Sequence, residues 1–384
     1  MRIEAPTLER DSSGDTLAAV VENRRLWFKG PPGSFSSTRV EPFVVAALLG
    51  AMESGQALEV VPDALVSPRL LEGLERIQEI LHAWNPRLRK VEVRATPGPS
   101  PAPRGGVALF FSGGVDATHT FLKHESEITH LVFVHGLEIT LDNEDLFARA
   151  LARNQETADR HGKTLLSVKT NLRELAADHH LSTFLYQGAL LAAIALGLGF
   201  ARTYVAASLF YRDLCAWGTH PLLDPLWSTE TTEIVHDGAE ASRADKIARI
   251  AAQPGALESL RVCLANRQEY NCGSCEKCLR TMVALRLLGL SSPAFPRLDS
   301  MRPVRRLRVE ADDDLPQFLE NHALALAKGD DAVVRALRAC IRRYRIRQIV
   351  RLADDVFLGG RLLRTWRRYR WRYEGPEPIL PGGP

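Results

Sequence analysis

Between Gly106 and Ser208, four apolar segments of strand length alternate with segments of helical character. The strand-like pieces are "GVALFF", "HLVFVHG", "TLLSVKT" and "RTYVAAS". Between them lie the amphipathic "NEDLFARALARNQETADRHG" and the almost wholly apolar "LSTFLYQGALLAAIALGLGF". Strands separated by helices predict a parallel sheet, because only a crossover brings the next strand back in the same direction. The strands are apolar throughout, as a sheet covered by helices on both faces requires. The fold class expected is therefore α/β, with an open parallel sheet.

The chain has 384 residues, room for more than one domain. Its 45% hydrophobic and 25% charged residues suit an ordinary soluble core, and a net charge of +3 does not by itself argue for a nucleic-acid partner. The N-terminus lacks an apolar signal segment, and the run from Gly188 is too short to span a bilayer. The expected compartment is the cytoplasm, where six cysteines are reduced thiols or metal ligands. Composition divides the chain into three: a small N-terminal α/β accessory unit over 1–98, a central domain over 104–298 and a helical, Arg-rich region over 299–384. The Pro-rich "TPGPSPAPR" reads as the extended linker between the first two. In the N-terminal unit, Ser67 and Pro68 read as the cap and first residue of a helix, and "RRLWFKG" as a strand.

The first central strand runs into "SGGVD", Ser112 to Asp116, and then into a helix. Paired glycines let backbone amides approach a phosphate, and the helix N-terminus adds a positive dipole end. The Ser112 hydroxyl can donate to a phosphate oxygen, and Asp116 suits Mg²⁺ held against it. The Lys-Ser/Thr ending of a Walker A loop is missing, and so is the G-x-G-x-x-G spacing of a dinucleotide fold.

The turn resembles the PP-loop of the N-type ATP pyrophosphatases, SGGxDS at the end of the first strand. The resemblance implies a PP-loop, HUP-like sheet and cleavage of ATP between its α and β phosphates. It implies that AMP passes to a carboxylate, amide or carbonyl oxygen while pyrophosphate sits in the loop. Ser112, Gly113, Gly114, Val115, Asp116 and Thr118 would then bind the nucleotide, with Ser112 and Asp116 catalytic. Ala117 stands where the pattern has its last Ser, and Thr118 follows it as a substitute donor. The helix "SRADKIARIA", capped by Ser242, matches the position where such enzymes set a basic helix end against the phosphates, with Arg243 and Lys246 as candidates.

Cys263, Cys272, Cys275 and Cys278 are spaced C-x8-C-x2-C-x2-C. Four thiolates favour tetrahedral Zn²⁺, with an iron–sulfur cluster as the alternative. Arg261, Lys277 and Arg280 are placed to offset the charge of such a site. A lone Cys followed by CxxCxxC, one domain length after the SGGxD loop, looks like the 7-cyano-7-deazaguanine synthase family over about half the chain. That family activates a carboxylate, forms an amide with ammonia and then a nitrile. Its Tyr-Gly-Gln-Arg-His and Pro-Asp-Cys-Arg-Pro runs are replaced here by "VHGLEITLDN" and "DLCAWGTHPLLDPLWSTETTEIVHDG". The ATP end is kept better than the acceptor end, as in a divergent paralogue with another acceptor: a small molecule, a base or a protein terminus.

The polar run 208–237 follows the fourth strand and is expected to shape the acceptor pocket, with Cys215 as a candidate sulfur carrier. Glu138, Asp142 and Asn143 are further lining candidates. The Arg-rich, Tyr- and Trp-bearing sequence from Arg338 suits RNA, an anionic lipid surface or packing within a homo-oligomer. The function expected is that of an ATP-dependent ligase or synthase. The alternatives are a tRNA-thiolating PP-loop ATPase and a non-catalytic nucleotide-binding module.

Overall fold

The first strands form an antiparallel meander that the sequence reading recognised only in part. They are β1 (Arg2–Ile3), β2 (Thr7–Asp11), β3 (Gly14–Val21) and β4 (Arg24–Gly30). β3 and β4 are joined by Glu22 and Asn23, both at positive φ. Two such residues in succession make the hairpin turn whose twist matches that of the strands. The computed structural model describes residues 1–35, 38–177, 183–265, 269–309 and 315–358.

Helix α1 (Glu41–Ser54) is buried over nearly its whole length and ends at Gly55 in the left-handed region. After β5 (Leu58–Val60) and β6 (Leu65–Val66), Ser67 accepts a hydrogen bond from the Leu70 amide and caps α2 (Pro68–Trp84). The Pro-rich segment is extended but not loose. Short strands β7 (Val93–Arg94) and β8 (Thr96–Pro97) pair with β5 and β6, and the buried Arg39 guanidinium donates to the carbonyls of Pro101 and Ala102 at 3.2 and 3.0 Å. Residues 98–103 lie outside any strand, and Arg39 supplies donors for two of their carbonyls.

The alternating series then unfolds as expected. It comprises β9 (Arg104–Phe110), α3 (Val115–Lys123), β10 (His130–His135), α4 (Glu144–Arg160), β11 (Thr164–Thr170), α5 (Leu172–Ala177), α6 (Thr183–Leu198) and β12 (Phe200–Ala206). Two further elements complete it: β13 (Glu233–Asp237), at the end of the polar run 208–237, and α7 (Arg243–Ala251). Strands β13–β12–β9–β10–β11 are neighbours in that order, all parallel. The chain builds outward from β9 to β11, returns, and builds the other way through β12 and β13. The reversal puts the carboxyl ends of β9 and β12 side by side, which is where open α/β sheets hold ligands.

β11 pairs antiparallel with β4, so the N-terminal strands extend the same sheet. Asn171 clamps that edge, accepting from the Trp27 amide and donating to the Arg25 carbonyl. One core runs through α1, α2 and α6 and takes in Phe28, Phe43, Tyr186, Phe200 and Trp227. The protein is thus α/β with a large, mostly parallel sheet. Its two compact units are Met1–Asn271 and Cys272–Pro384, a division that differs from the segments expected at 98–104 and 298. The sheet and core that the first two expected segments share, which composition does not report, join them into one unit. The second unit is helical: α8 (Glu276–Leu287), α9 (Arg302–Arg306), α10 (Leu315–Lys328) and α11 (Asp331–Leu358). The rest of the basic tail, 359–384, lies outside the described residues. Among the described residues no helix is long and apolar enough to cross a membrane.

Candidate functional site

The SGGVD turn sits at the carboxyl end of β9, beside that of β12. The Phe111 amide still pairs with Val132, so the chain leaves the sheet only at Ser112. Gly113 has φ +75, and a Cβ there would lie 3.0 Å from Asn154 Oδ1. Its carbonyl accepts from the Arg261 amide at 2.8 Å. Gly114 is the N-cap of α3, with no side chain capping the helix. A helix N-terminus without a side-chain cap is a place where an anion can be received. Ser112, Gly114 and Asp116 are half-buried, while Gly113, Val115, Ala117 and Thr118 are buried. Ala117 points into a core of Leu109, Phe111 and Phe121, so its methyl serves packing.

Asp116 meets both basic candidates from α7. Lys246 Nζ donates to Oδ1 at 2.8 Å and to the Ala207 carbonyl at 2.7 Å; Arg243 Nη1 donates to Oδ2 at 3.2 Å. The capping box of Ser242 and Asp245 sets the start of α7, placing Arg243 in its first turn and Lys246 one turn on. Lys246 is buried, with a side chain only 2% exposed, so its ammonium depends on these two oxygens.

Behind the turn, Asp237 at the end of β13 accepts from Thr120, Lys123 and His124 of α3 and its C-cap. Burial alone would raise its pKa, but the hydrogen bonds from Lys123, His124 and Thr120 outweigh burial and hold it below the ordinary value. The net fixes α3 against β13 and thereby orients the first turn of α3.

Two residues beside the turn escaped the sequence reading in this role. Asn154, buried on α4, donates to the Phe111 carbonyl at 3.4 Å. Arg261, assigned from sequence to the cysteine cluster, has its backbone bonded to Gly113. Its guanidinium is buried 3.8 Å from Glu138, with Nε and Nη2 making no hydrogen bond. Only the fold brings 261 to 113, so no local signal could have found it.

The polar run divides. Its first part, from Ser208 to Ala216, is exposed or half-buried apart from Leu209 and includes half-buried Cys215. Its second part packs inward. Asp224 and His236 are paired at 2.7 Å with both side chains buried, Trp227 is buried, and His220 stacks edge-on against Trp84 at 5.0 Å. Burial raises the Asp224 pKa despite the hydrogen bond from His236. These residues hold α2 to the sheet instead of lining an open pocket. Asp142 is exposed, and Asn143 caps α4 by accepting from the Leu146 amide.

The four sulfurs of Cys263, Cys272, Cys275 and Cys278 lie within 4.8 Å of one another, and none of the six cysteines is in a disulfide. Four thiolates on one tetrahedral zinc would stand about 3.8 Å apart, given Zn–S bonds of about 2.3 Å. The cluster is therefore compatible with zinc. The Ser274 and Cys275 amides point at the Cys272 sulfur, at 3.5 and 3.2 Å, and Cys275 caps α8, so local dipoles favour the thiolate form. Arg280 pairs with Glu276 at 3.0 Å.

An α/β protein with a glycine turn at its strand-order reversal and a four-cysteine cluster is the class that the fold and these residues define. No known protein family, no curated protein and no solved structure matches the chain.

Proposed function

We propose that the chain binds ATP and Mg²⁺ at the turn 112–118 and uses them to activate a carboxylate or amide, in the manner of the PP-loop enzymes. An acceptor oxygen attacks the α-phosphorus, the α–β bridge breaks, and pyrophosphate leaves. Ammonia or another nucleophile then displaces AMP from an adenylated carboxylate, giving an amide-type bond, whereas an adenylated amide loses AMP and a proton to give a nitrile. Bound Mg²⁺ would neutralise the phosphate charge, with Asp116 as its ligand. Ser112, the glycine amides, Lys246, Arg243 and Arg261 are the donors for the phosphates. Zinc at the four cysteines would be structural.

The observation that carries this reading is the meeting of Asp116 with Lys246 and Arg243 beside an uncapped helix N-terminus, at the strand-order reversal. One further observation favours a second reading: both Asp116 oxygens are already engaged by cations, as in a nucleotide-binding module without turnover.

Full-length protein incubated with α-labelled ATP, Mg²⁺, ammonia and a panel of carboxylic acids separates the two. AMP formation that depends on the acid, and is lost in Asp116→Asn, supports activation. ATP binding without AMP supports the module. Absence of ATP binding removes both. Sulfur transfer to RNA that is lost in Cys215→Ala would instead assign a thiolating enzyme.

A further inference from the structure

Helix α11 changes its apolar face part-way along. From Val333 to Tyr344 its buried side chains, among them Leu337, Cys340 and Ile341, form one stripe within the helical unit. Beyond Tyr344 the apolar residues lie elsewhere. At about 100° per residue, Ile346, Ile349, Val350 and Phe357 centre about 180° round the helix from that stripe. They face solvent: Ile349 is 68% and Phe357 82% exposed. Leu352 and Val356, closer to the side, are 66% and 65% exposed.

The same outward face, one to three turns earlier, carries Arg335, Arg338, Arg342 and Arg345, all exposed. Arg343 and Arg347 point the other way and donate to the carbonyls of Leu307 and Val309. Arg335 also borders a groove of about 440 Å³ with Arg302 and Arg305 of α9, floored by Ala332 and Ala336. One face of α11 thus runs from arginines over a groove to an exposed apolar stripe.

We propose that this face docks on a bilayer surface rich in anionic lipid. The arginines and the groove would take headgroup phosphates, and the stripe from Ile346 to Phe357 would enter the acyl boundary. Charge complementarity selects this occupant. A second copy of the chain would set the arginine face against its own like charge. A nucleic acid would satisfy the arginines but offers no dry surface to Ile, Val and Leu, and stacking on bases calls for aromatic rings, of which the described stripe has one. Lipid satisfies both halves at once.

The test is co-sedimentation of the full-length protein with vesicles of phosphatidylcholine alone and with one quarter phosphatidylserine. The expected result is binding to the serine-containing vesicles only, weakened by salt. Arg342→Glu and Arg345→Glu should each lower partitioning by about fivefold or more, from about 1 kcal/mol per basic residue at such a surface. Ile349→Glu with Val350→Glu should lower it tenfold or more at low salt. Circular dichroism of each variant checks that helicity is kept. Failure to bind, equal binding to both vesicles, or binding indifferent to the Ile349 and Val350 changes overturns the proposal. Retention of an RNA oligonucleotide without vesicle binding, or a dimer broken by the stripe variants without vesicle binding, overturns it in favour of those partners.

Discussion

The Lys246 ammonium lies 2.8 Å from Asp116 Oδ1 and 2.7 Å from the Ala207 carbonyl, tying α7 at once to the turn after β9 and to the end of β12. Three separate stretches of sequence converge on one buried nitrogen.

Lys246→Met removes one of the two α7 cations that meet Asp116. Because Asp116 is about a quarter exposed (23%), the loss should fall below that of a fully buried pair, at about 1–3 kcal/mol. Asp116→Asn combined with Lys246→Met should cost less than the two single changes added, by about 1 kcal/mol. Urea unfolding of the four proteins measures the coupling; strict additivity would refute it.

Gly113 and Gly33 both have positive φ, +75 and +80, but only Gly113 has a neighbour where a Cβ would go. Gly33→Ala should lose about 1 kcal/mol from backbone strain alone. Gly113→Ala should lose more, because Asn154 must give way, and should also weaken ATP binding. Equal losses would mean that Asn154 moves freely.

Arg261→Met removes a buried guanidinium with two nitrogens unbonded. Stability should change by less than about 1 kcal/mol, since little hydrogen bonding is lost. Affinity for ATP or pyrophosphate should fall tenfold or more, read by calorimetry. A large loss of stability with unchanged affinity would make Arg261 a packing residue.

The Asp237 pKa is held below its ordinary value by Lys123, His124 and Thr120. A carboxylate so depressed contributes stability above its unfolded pKa of about 3.9, and that contribution fades as pH falls through the folded value. Wild-type protein should therefore lose stability on acidification below about pH 4, and Asp237→Asn should show a flatter acid limb. Melting temperatures across that range decide it; parallel curves would count against the assignment.

The four-cysteine cluster should retain one zinc per chain through purification, measured by elemental analysis, in a colourless protein. Cobalt should replace it and show thiolate-to-metal charge transfer. Chelation or Cys278→Ser should lower the melting temperature and cost several kcal/mol, because a metal that binds only the folded state stabilises it. Brown protein containing iron and sulfide would assign a cluster instead.

What the sequence determined by itself were features written in short-range pattern. The apolar segments from 106 to 206 specify strands buried on both faces, the helical runs between them force parallel pairing, and Ser67, Ser242 and Gly55 mark helix ends through hydrogen bonds to their own neighbours. The cysteine spacing specified a cluster because nearby ligands need little else to converge. Only the tertiary structure decided what depends on long-range closure. The pairing of β4 with β11 merged two expected units into one sheet, and Arg261 came to rest against Gly113. Asp224, read as a pocket residue, was turned inward to His236. The reason is physical: side-chain period and capping act within a few residues, whereas which edges pair and which charges meet is settled by burying the whole core at once.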